Sequence, residues 1–202
     1  MIGCRPLSDS EIRLVLKLFY GRYHHRDRLL FVLGYSTGFR IGELLSLQVH
    51  DVWRHGKLTD HIRVQRRHVK RRRHSRSIFM PDIAKHYLEI WLGILALAGP
   101  LDGETPLFPS RKGSGRPISR TQAYRILRAA FEACELDLDS HGTHTMRKTF
   151  ADRMFQTFDE NIFKLQHALG HASPASTLAY LSFDEAELDQ AIASTWSQPT
   201  EE

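Results

Sequence analysis

Apolar residues recur every three or four positions along most of the chain, which is the spacing of amphipathic helices. Capping residues mark two of the helix starts, since Ser8 and Glu11 have capping-box spacing, as do Ser119 and Gln122. The pattern predicts helical segments over residues 9–20, 26–38, 40–47, 82–98, 119–134, 144–157, 160–170, 174–182 and 185–195.

One part of the chain has a different pattern. Residues 61–69 (HIRVQRRHV) and 76–80 (RSIFM) predict two strands joined as a β-hairpin. Ile62, Val64 and Val69 would form its buried face, and arginines would cover the other. Residues 101–118 are rich in Gly and Pro and predict the longest irregular stretch. The predicted fold class is therefore mainly α with a small antiparallel β-hairpin.

The distribution of charge along the chain gives that hairpin a further property. The chain has 202 residues, 28 Lys and Arg against 23 Asp and Glu, and a net charge of +5. Residues 63–76 hold eight of the bases and no acid, so the other 188 residues carry 20 bases and 23 acids. From residue 182 onward there are six acids and no Lys or Arg. A concentrated basic element on a folded chain indicates a polyanionic partner, and nucleic acid is the first candidate.

Composition excludes several classes of protein. A hydrophobic content of 42% and a charged content of 25% are typical of a globular chain and not of a disordered one. No apolar run has the roughly 18–20 residues of a membrane span. Cys4 and Cys134 are too few for a disulfide framework and predict reduced thiols in a cytoplasmic protein.

The first candidate functional residue is Arg40, which precedes a short amphipathic segment. Glu43 lies three positions later and could simply pair with it on one helix face. However, the macrodipole at a helix start disfavours a cation and favours an anion. An arginine at this position is better explained by a phosphate partner.

Histidines and one tyrosine supply further candidates. His144 and Arg147 are three apart and share a helix face, although a surface pair is the simpler interpretation. His167 and His171 have the four-residue spacing of metal ligands, but a zinc site needs a third and usually a fourth ligand. Tyr180, taken alone, fits a half-buried core tyrosine with its hydroxyl at the surface.

Taken together, two arginines, a lysine, two histidines and a tyrosine suit phosphoryl transfer without a metal or other cofactor. Guanidinium groups stabilise the charge that develops on the non-bridging oxygens. A lysine can protonate the leaving oxygen, and a histidine can take the proton of a tyrosine nucleophile. The sequence has no evident Asp/Glu cluster for two magnesium ions.

Three ordered boxes contain most of these residues: 37–52 (TGFRIGELLSLQVHDV), 144–150 (HTMRKTF) and 169–180 (LGHASPASTLAY). This set resembles the catalytic domain of the tyrosine recombinases, the phage integrase family, over about residues 7–195. The positions that match the family's catalytic groups are Arg40, His144, Arg147, His171 and Tyr180. Lys70, in the basic hairpin, is the best match to the catalytic lysine. Lys148 stands where many relatives have a histidine.

The resemblance implies a mechanism. Tyr180 would attack a DNA phosphodiester, leaving a 3′-phosphotyrosine link and a free 5′-hydroxyl. Arg40 and Arg147 would clamp the phosphate, and Lys70 would protonate the leaving oxygen. Neither ATP nor a metal would be required, because the covalent link stores the bond energy. Four subunits on two double-stranded DNA sites would complete the exchange, and the free protein could be a monomer.

The resemblance also implies a domain organisation. Residues 1–183 would be a single catalytic domain, without the N-terminal core-binding domain that relatives usually carry. The chain is then either an excised catalytic domain or similar to the small single-domain members. Residues 184–202 would form an acidic helix and tail, which docks on a neighbouring subunit or packs on its own domain.

Further basic and polar residues are candidates for contacts to DNA bases or phosphates. They lie in the hairpin, in the helix after Ser119 and beside Arg147: Arg63, Arg66, Arg67, Arg71, Arg72, Arg73, Arg76, Arg120, Gln122, Arg125 and Lys148. Two other functions remain open: a type IB topoisomerase-like nicking-closing enzyme, and a DNA-binding regulator or accessory protein without catalysis. A zinc protein that uses the histidine pairs is the least expected.

Overall fold

The computed structural model describes residues 4–64, 76–97, 99–111, 115–178, 180 and 193–194. Its helices are α1 (Asp9–Leu18), α2 (His24–Thr37), α3 (Ile41–Leu44), α4 (Val49–Val52), α5 (Asp82–Ala96), α6 (Arg120–Ala133), α7 (Thr143–Thr157), α8 (Ile162–Leu169) and α9 (Pro174–Leu178). Its strands are β1 (Trp53–Arg54), β2 (Lys57–Leu58), β3 (His61–Val64) and β4 (Arg76–Phe79). The predicted 185–195 helix lies outside the described residues, apart from 193–194.

Side chains fix several of the helix starts. At α1, Ser8 accepts from the Glu11 backbone N–H and the Glu11 carboxylate accepts from the Ser8 N–H, so the predicted capping box is confirmed. Ser119 caps α6 by accepting from the Gln122 N–H. Asn161 caps α8 in the same way. These bonds satisfy backbone donors that a helix start leaves without partners.

The centre of the fold is α2, which is buried on nearly every side and packs against α5 and α7. Its apolar residues Leu29 to Leu33 are fully buried. The crossing with α7 is close, because a Cβ on Gly34 would lie 2.2 Å from the Met146 sulfur. A glycine at this position therefore lets α7, with two of the candidate catalytic residues, approach the core.

The strands form two small antiparallel sheets. In the β3–β4 pair, Ile62 faces Ile78 and Arg63 faces Ser77. Ile62 and Val64 are buried and Arg63 is exposed, as predicted for the two faces of the hairpin. The part of the predicted strand beyond residue 64, with Val69, lies outside the described residues. The second sheet, β1–β2, turns at His55–Gly56 and was not predicted.

The irregular stretch of residues 101–118 is part of the core. Leu107 and Phe108 are fully buried, and the Trp91 indole donates to the Leu107 carbonyl over 2.7 Å. The Leu107 N–H donates to Leu47 and the Ile118 N–H donates to Phe108. The Gly and Pro residues predicted a stretch without regular structure, and its described residues, 101–111 and 115–118, contain no helix and only isolated β-bridges. Nothing in the sequence indicated their burial.

A second apolar cluster lies beside the main one. Phe150, Ala151, Leu165 and Leu169 form it, and Tyr180 packs against its edge. Because α7 contributes to both clusters, its first turns lie at their junction. The mainly α fold with a small β-hairpin is confirmed. Within the described residues, no helix is both long and apolar enough to cross a membrane.

Candidate active site

Residues from three separate parts of the chain meet at the start of α7. Arg40 lies just before α3, His144 and Arg147 lie in the first turns of α7, and His171 follows α8. Tyr180 follows α9 and contacts the α7 residues. The structure therefore brings five of the six predicted catalytic residues together. Lys70, the sixth, lies outside the described residues.

Arg147 is the most buried charge of the site, with 1% of its surface exposed. Its Nη2 donates to the Leu169 carbonyl over 2.8 Å, and its Nη1 donates to the Gly38 carbonyl. Its Nε is buried, and no hydrogen-bond acceptor of the described chain reaches it. Burial, followed by the charge of Arg40, lowers the pKa of Arg147 to about 10. The side chain therefore stays cationic at neutral pH.

Gly38 presents one of those carbonyls because of its backbone. It ends α2 in the left-handed region, with a φ of +60°, where glycine is favoured. A Cβ here would also lie 2.3 Å from the Phe150 ring. Both features require glycine, and they place the carbonyl against the guanidinium of Arg147.

His171 is buried and joins two of the other segments. Its Nε2 lies 2.8 Å from Arg147 Nη2, and its Nδ1 lies 2.9 Å from the Thr177 hydroxyl. Its backbone N–H donates to the Gln166 carbonyl, and its own carbonyl accepts from the Gln166 side-chain amide. The ring and the backbone are thus fixed by three different residues.

Tyr180 lies over the other side chains of the site. Its ring centroid is 5.3 Å from the Arg147 guanidinium carbon and 5.1 Å from the His171 ring centroid. Its hydroxyl is 3.3 Å from Nδ1 of His144. A tyrosine hydroxyl is thereby within reach of a base and beside a guanidinium, as an activated nucleophile requires.

His144 is the group suited to accept that proton. The residue is exposed, but partial removal of its ring from bulk water still lowers its pKa below the ordinary value, and Arg147, Arg40 and Lys148 lower the pKa further. A lowered pKa keeps the imidazole neutral at neutral pH. A neutral imidazole has one nitrogen free to accept a proton.

Arg40 is more open than Arg147. About a third of its side chain is exposed, and its Nη1 lies 3.2 Å from the buried Glu43 carboxylate. The Arg40 N–H donates to the same carboxylate over 2.8 Å. The pair that the three-residue spacing allowed is therefore present. It holds the guanidinium beside Arg147, close enough for the two charges to interact.

Of the predicted DNA contacts outside α6, three lie within the described residues and the others do not. Arg63 is exposed on β3, and the backbone of Arg76 lies in β4 opposite Val64. Lys148 is half-buried beside Arg147. The remaining hairpin candidates lie outside the described residues: Arg66, Arg67, Arg71, Arg72 and Arg73.

The candidates on α6 border an arginine-lined cleft that the sequence did not indicate. Gln122 and Arg125 line an open cavity of about 400 Å³, together with Arg111 and Arg116 from the irregular stretch. Arg120 reaches the other way, with its guanidinium packed against Gly42 of α3. We call the cavity the α6 cleft. The excess of arginines in residues 111–125 was a signal that could have suggested it.

The histidine pairs have the spacing of metal ligands but lie in a different environment. Among the described residues, no three His, Cys, Asp or Glu side chains form a group that could hold a metal ion. His141 bonds through Nδ1 to Asp137 and Ser140, and His171 bonds to Arg147 and Thr177. These histidines therefore have protein partners.

The arrangement of arginines, histidines and a tyrosine agrees with the comparison with known proteins. The phage integrase family model matches residues 9–187. The chain belongs to the phage integrase family. Membership confirms the predicted enzyme class, the tyrosine-type site-specific recombinases and integrases, at the level of the family.

Two relatives show how much of each protein the sequence match covers. A probable integrase/recombinase, YoeC, of Bacillus subtilis is 33% identical over 181 residues, covering 90% of this chain and 91% of that protein. The tyrosine recombinase XerC of Pseudomonas fluorescens is 31% identical over 161 residues, covering 79% of this chain and 49% of that protein. The chain thus spans nearly all of the first relative and about half of the second.

Solved structures share the fold. The XerH site-specific recombinase bound to palindromic difH substrate superimposes with a TM-score of 0.74 at 23% identity, covering 98% of this chain and 54% of that one. A lambda integrase dimer bound to a COC′ core site gives a TM-score of 0.65 at 18% identity, covering 91% and 51%. The predicted tyrosine-recombinase catalytic fold is confirmed.

Proposed function

We propose that this chain cleaves and rejoins double-stranded DNA at specific sites through a covalent 3′-phosphotyrosine intermediate. The observation that carries the proposal is the position of Tyr180, whose hydroxyl lies 3.3 Å from His144 and whose ring lies against Arg147. A nucleophile, a base and a phosphate-binding cation are then in one place. The relatives named as recombinases and integrases support the same function.

In the proposed step, the Tyr180 oxygen attacks the DNA phosphorus and forms a phosphotyrosine bond. The bond from phosphorus to the 5′-oxygen breaks at the same centre. His144 accepts the proton of the hydroxyl through Nδ1. The leaving 5′-oxygen takes a proton from Lys70, by the role that the family resemblance implies. Attack by a 5′-hydroxyl reverses the step and reseals the strand without ATP or a metal.

Arg40 and Arg147 would hold the non-bridging oxygens of that phosphate. Arg40 is partly exposed, so its guanidinium is open to a ligand on the solvent side. Arg147 has a buried Nε with no acceptor of the described chain, and a buried donor without an acceptor is costly. A phosphate oxygen is an acceptor of the right charge, and guanidinium groups bind phosphate well.

The α6 cleft and the hairpin would hold the flanking DNA. Arg111, Arg116 and Arg125 are exposed cations in one cavity, which suits contacts to successive phosphates or to base edges. DNA-bound structures among the fold relatives support a DNA partner. We further propose that residues 1–183 act as the catalytic domain, that residues 184–202 dock on a neighbouring subunit, and that four copies act on two DNA sites.

The test is covalent trapping. Sequencing of the genomic DNA that the protein retains gives its site, and a nicked suicide duplex is built on that site. The wild-type protein should form an adduct that survives a denaturing gel, while Tyr180→Phe should bind the duplex but form none. An adduct with Tyr180→Phe, or none with wild type on its site, would contradict the proposal.

The same trapping reaction separates the alternative functions. A DNA-binding regulator would bind the site without any adduct. A nicking-closing enzyme would form the adduct and relax supercoils but would not exchange strands between paired sites. Strand exchange between two labelled duplexes that carry the site is therefore the outcome expected of a recombinase.

A further inference from the structure

Thr177 is a buried polar residue between two of the candidate catalytic groups. None of its surface is exposed, and its hydroxyl lies 2.9 Å from Nδ1 of His171. Its backbone carbonyl accepts the Tyr180 N–H over 2.9 Å. One residue therefore contacts the ring of His171 through its side chain and the backbone of Tyr180 through its carbonyl.

The hydrogen bonds of His171 define which ring nitrogen carries the proton. Nε2 lies 2.8 Å from Arg147 Nη2, and a guanidinium has donors only. Nε2 must therefore accept, and a neutral ring then carries its proton on Nδ1. That N–H points to the Thr177 hydroxyl, which is the acceptor that this tautomer needs.

We propose that Thr177 is a positioning residue whose hydroxyl accepts from Nδ1–H of His171 and, together with the Arg147 donor at Nε2, fixes the tautomer and the orientation of the ring against Arg147. The inference rests on the proposed function, since it assigns a role beside the same nucleophile. Without an acceptor at Nδ1, one tautomer leaves a buried Nδ1–H unpaired, and the other sets Nε2–H against the donor Nη2 of Arg147. Neither tautomer is then satisfied, so the ring turns and the guanidinium loses one of its fixed partners.

The location of Thr177 gives this role a second consequence. Because its carbonyl also accepts from the Tyr180 N–H, the segment with the nucleophile is connected to the histidine and the arginine through a single residue. A shift of the His171 ring would therefore displace a hydrogen-bond partner of Arg147 and the backbone that leads to Tyr180 at the same time.

Nitrogen NMR of the free protein tests the tautomer without any DNA. The probe is ¹⁵N-histidine label, and the His171 signals are identified by their loss in His171→Asn. Wild type should show a protonated Nδ1 and an unprotonated Nε2, and Thr177→Val should lose that signature while Thr177→Ser keeps it. A protonated Nε2 in wild type, or an unchanged ring in Thr177→Val, would overturn the inference.

The second measurement is the rate at which the Thr177 variants form the covalent adduct on the suicide duplex. Thr177→Val should slow adduct formation by about 10–100-fold, by analogy with the loss of the outer hydrogen-bond partner of a histidine in metal sites, and Thr177→Ser should restore the rate to within a few-fold. Thr149→Val is the matched control, because Thr149 is equally buried and hydrogen-bonded but contacts Leu7 and Thr145 rather than the site.

The two proposals fail in different ways. If wild type forms no adduct, the proposed function fails, and the tautomer of His171 can still be read. If wild type forms the adduct but Thr177→Val cleaves at the wild-type rate, only the inference about Thr177 fails. If Thr177→Val does not fold, the tautomer of the wild-type protein remains the deciding measurement.

Discussion

Arg147 lies at 1% exposure, with two backbone carbonyls and a histidine around its guanidinium. By contrast, Arg111, Arg116 and Arg125 are exposed around the open α6 cleft. In the proposed function both regions present arginines to DNA, but of the two only the buried one has its guanidinium held by hydrogen bonds within the described part of the chain. A buried cation acts in a medium where charges interact strongly, whereas water and salt screen an exposed one.

The difference indicates how each region contributes to function. In the buried site, the orientation of each donor is fixed before a substrate arrives, so the effect of one substitution should be large. In the cleft, each arginine should contribute a small and salt-dependent share of binding. Three measurements, from the largest expected effect to the smallest, test this contrast.

The largest effect is expected for Arg147→Lys. Lysine keeps the charge but lacks the planar fork of donors that reaches the Gly38 and Leu169 carbonyls. Adduct formation on the suicide duplex should fall by about 10²–10³-fold, as for loss of a preorganised donor to a developing anion. Arg125→Lys in the cleft is the matched control and should change the rate little. A small loss in Arg147→Lys would mean that its charge alone matters.

A smaller effect is expected in the cleft. Replacing Arg111, Arg116 and Arg125 together by Ala should weaken binding to all DNA sequences, because these cations would no longer neutralise phosphates. The slope of log Kobs against log salt should flatten by about 0.9 for each phosphate that is left without its arginine. Fluorescence anisotropy at several salt concentrations measures it, with Arg13→Ala on the exposed side of α1 as the control. An unchanged slope would show that the cleft does not touch DNA.

The smallest effect concerns pH. The pKa of His144 is lowered, mainly by partial removal of its ring from water and also by Arg147, Arg40 and Lys148. In the proposed mechanism the neutral ring is the base, so adduct formation should be complete above that pKa and fall as the pH drops through it, below the ordinary histidine value of about 6.5.

Lys148→Met removes one of those charges and should move this acid limb to higher pH. The limb is measured as the rate of adduct formation against pH, and Lys164→Met, an exposed lysine of α8, should leave it in place. A limb that moves to lower pH, or that is absent, would show that His144 is not the base.

Much of the fold follows from local sequence signals. Periodicity and capping residues located α1, α5, α6 and α7 to within about two residues, because an amphipathic helix of ten or more residues repeats its pattern several times. The four-residue helix α4 and the two-residue strands β1 and β2 were missed, since such short elements contain no full repeat. The structure of α4 depends on contacts that are remote in sequence, since the Val49 and His50 N–H groups donate to the Thr105 and Gly103 carbonyls of the irregular stretch and the helix packs against β3.

The candidate site, like the fold, was predicted from the sequence only in part. The resemblance of three ordered sequence boxes to the family predicted Arg40, His144, Arg147, His171 and Tyr180, and the structure brings them together. The sequence did not indicate Thr177, because a threonine in a short helix has many ordinary roles. It also did not indicate Arg111 and Arg116 as cleft residues, since they come from a stretch without periodicity.

The sequence by itself determined the chemical groups and their order, since these depend only on which residue stands at each position. It also determined the long helices, because their hydrogen bonds and caps are local. Tertiary structure alone decided the partners of those groups. The carbonyl of Gly38 lies 109 positions from Arg147, and it becomes an acceptor only when α2 and α7 pack closely. Hydrogen bonds between remote segments depend on that packing, and no local pattern encodes it.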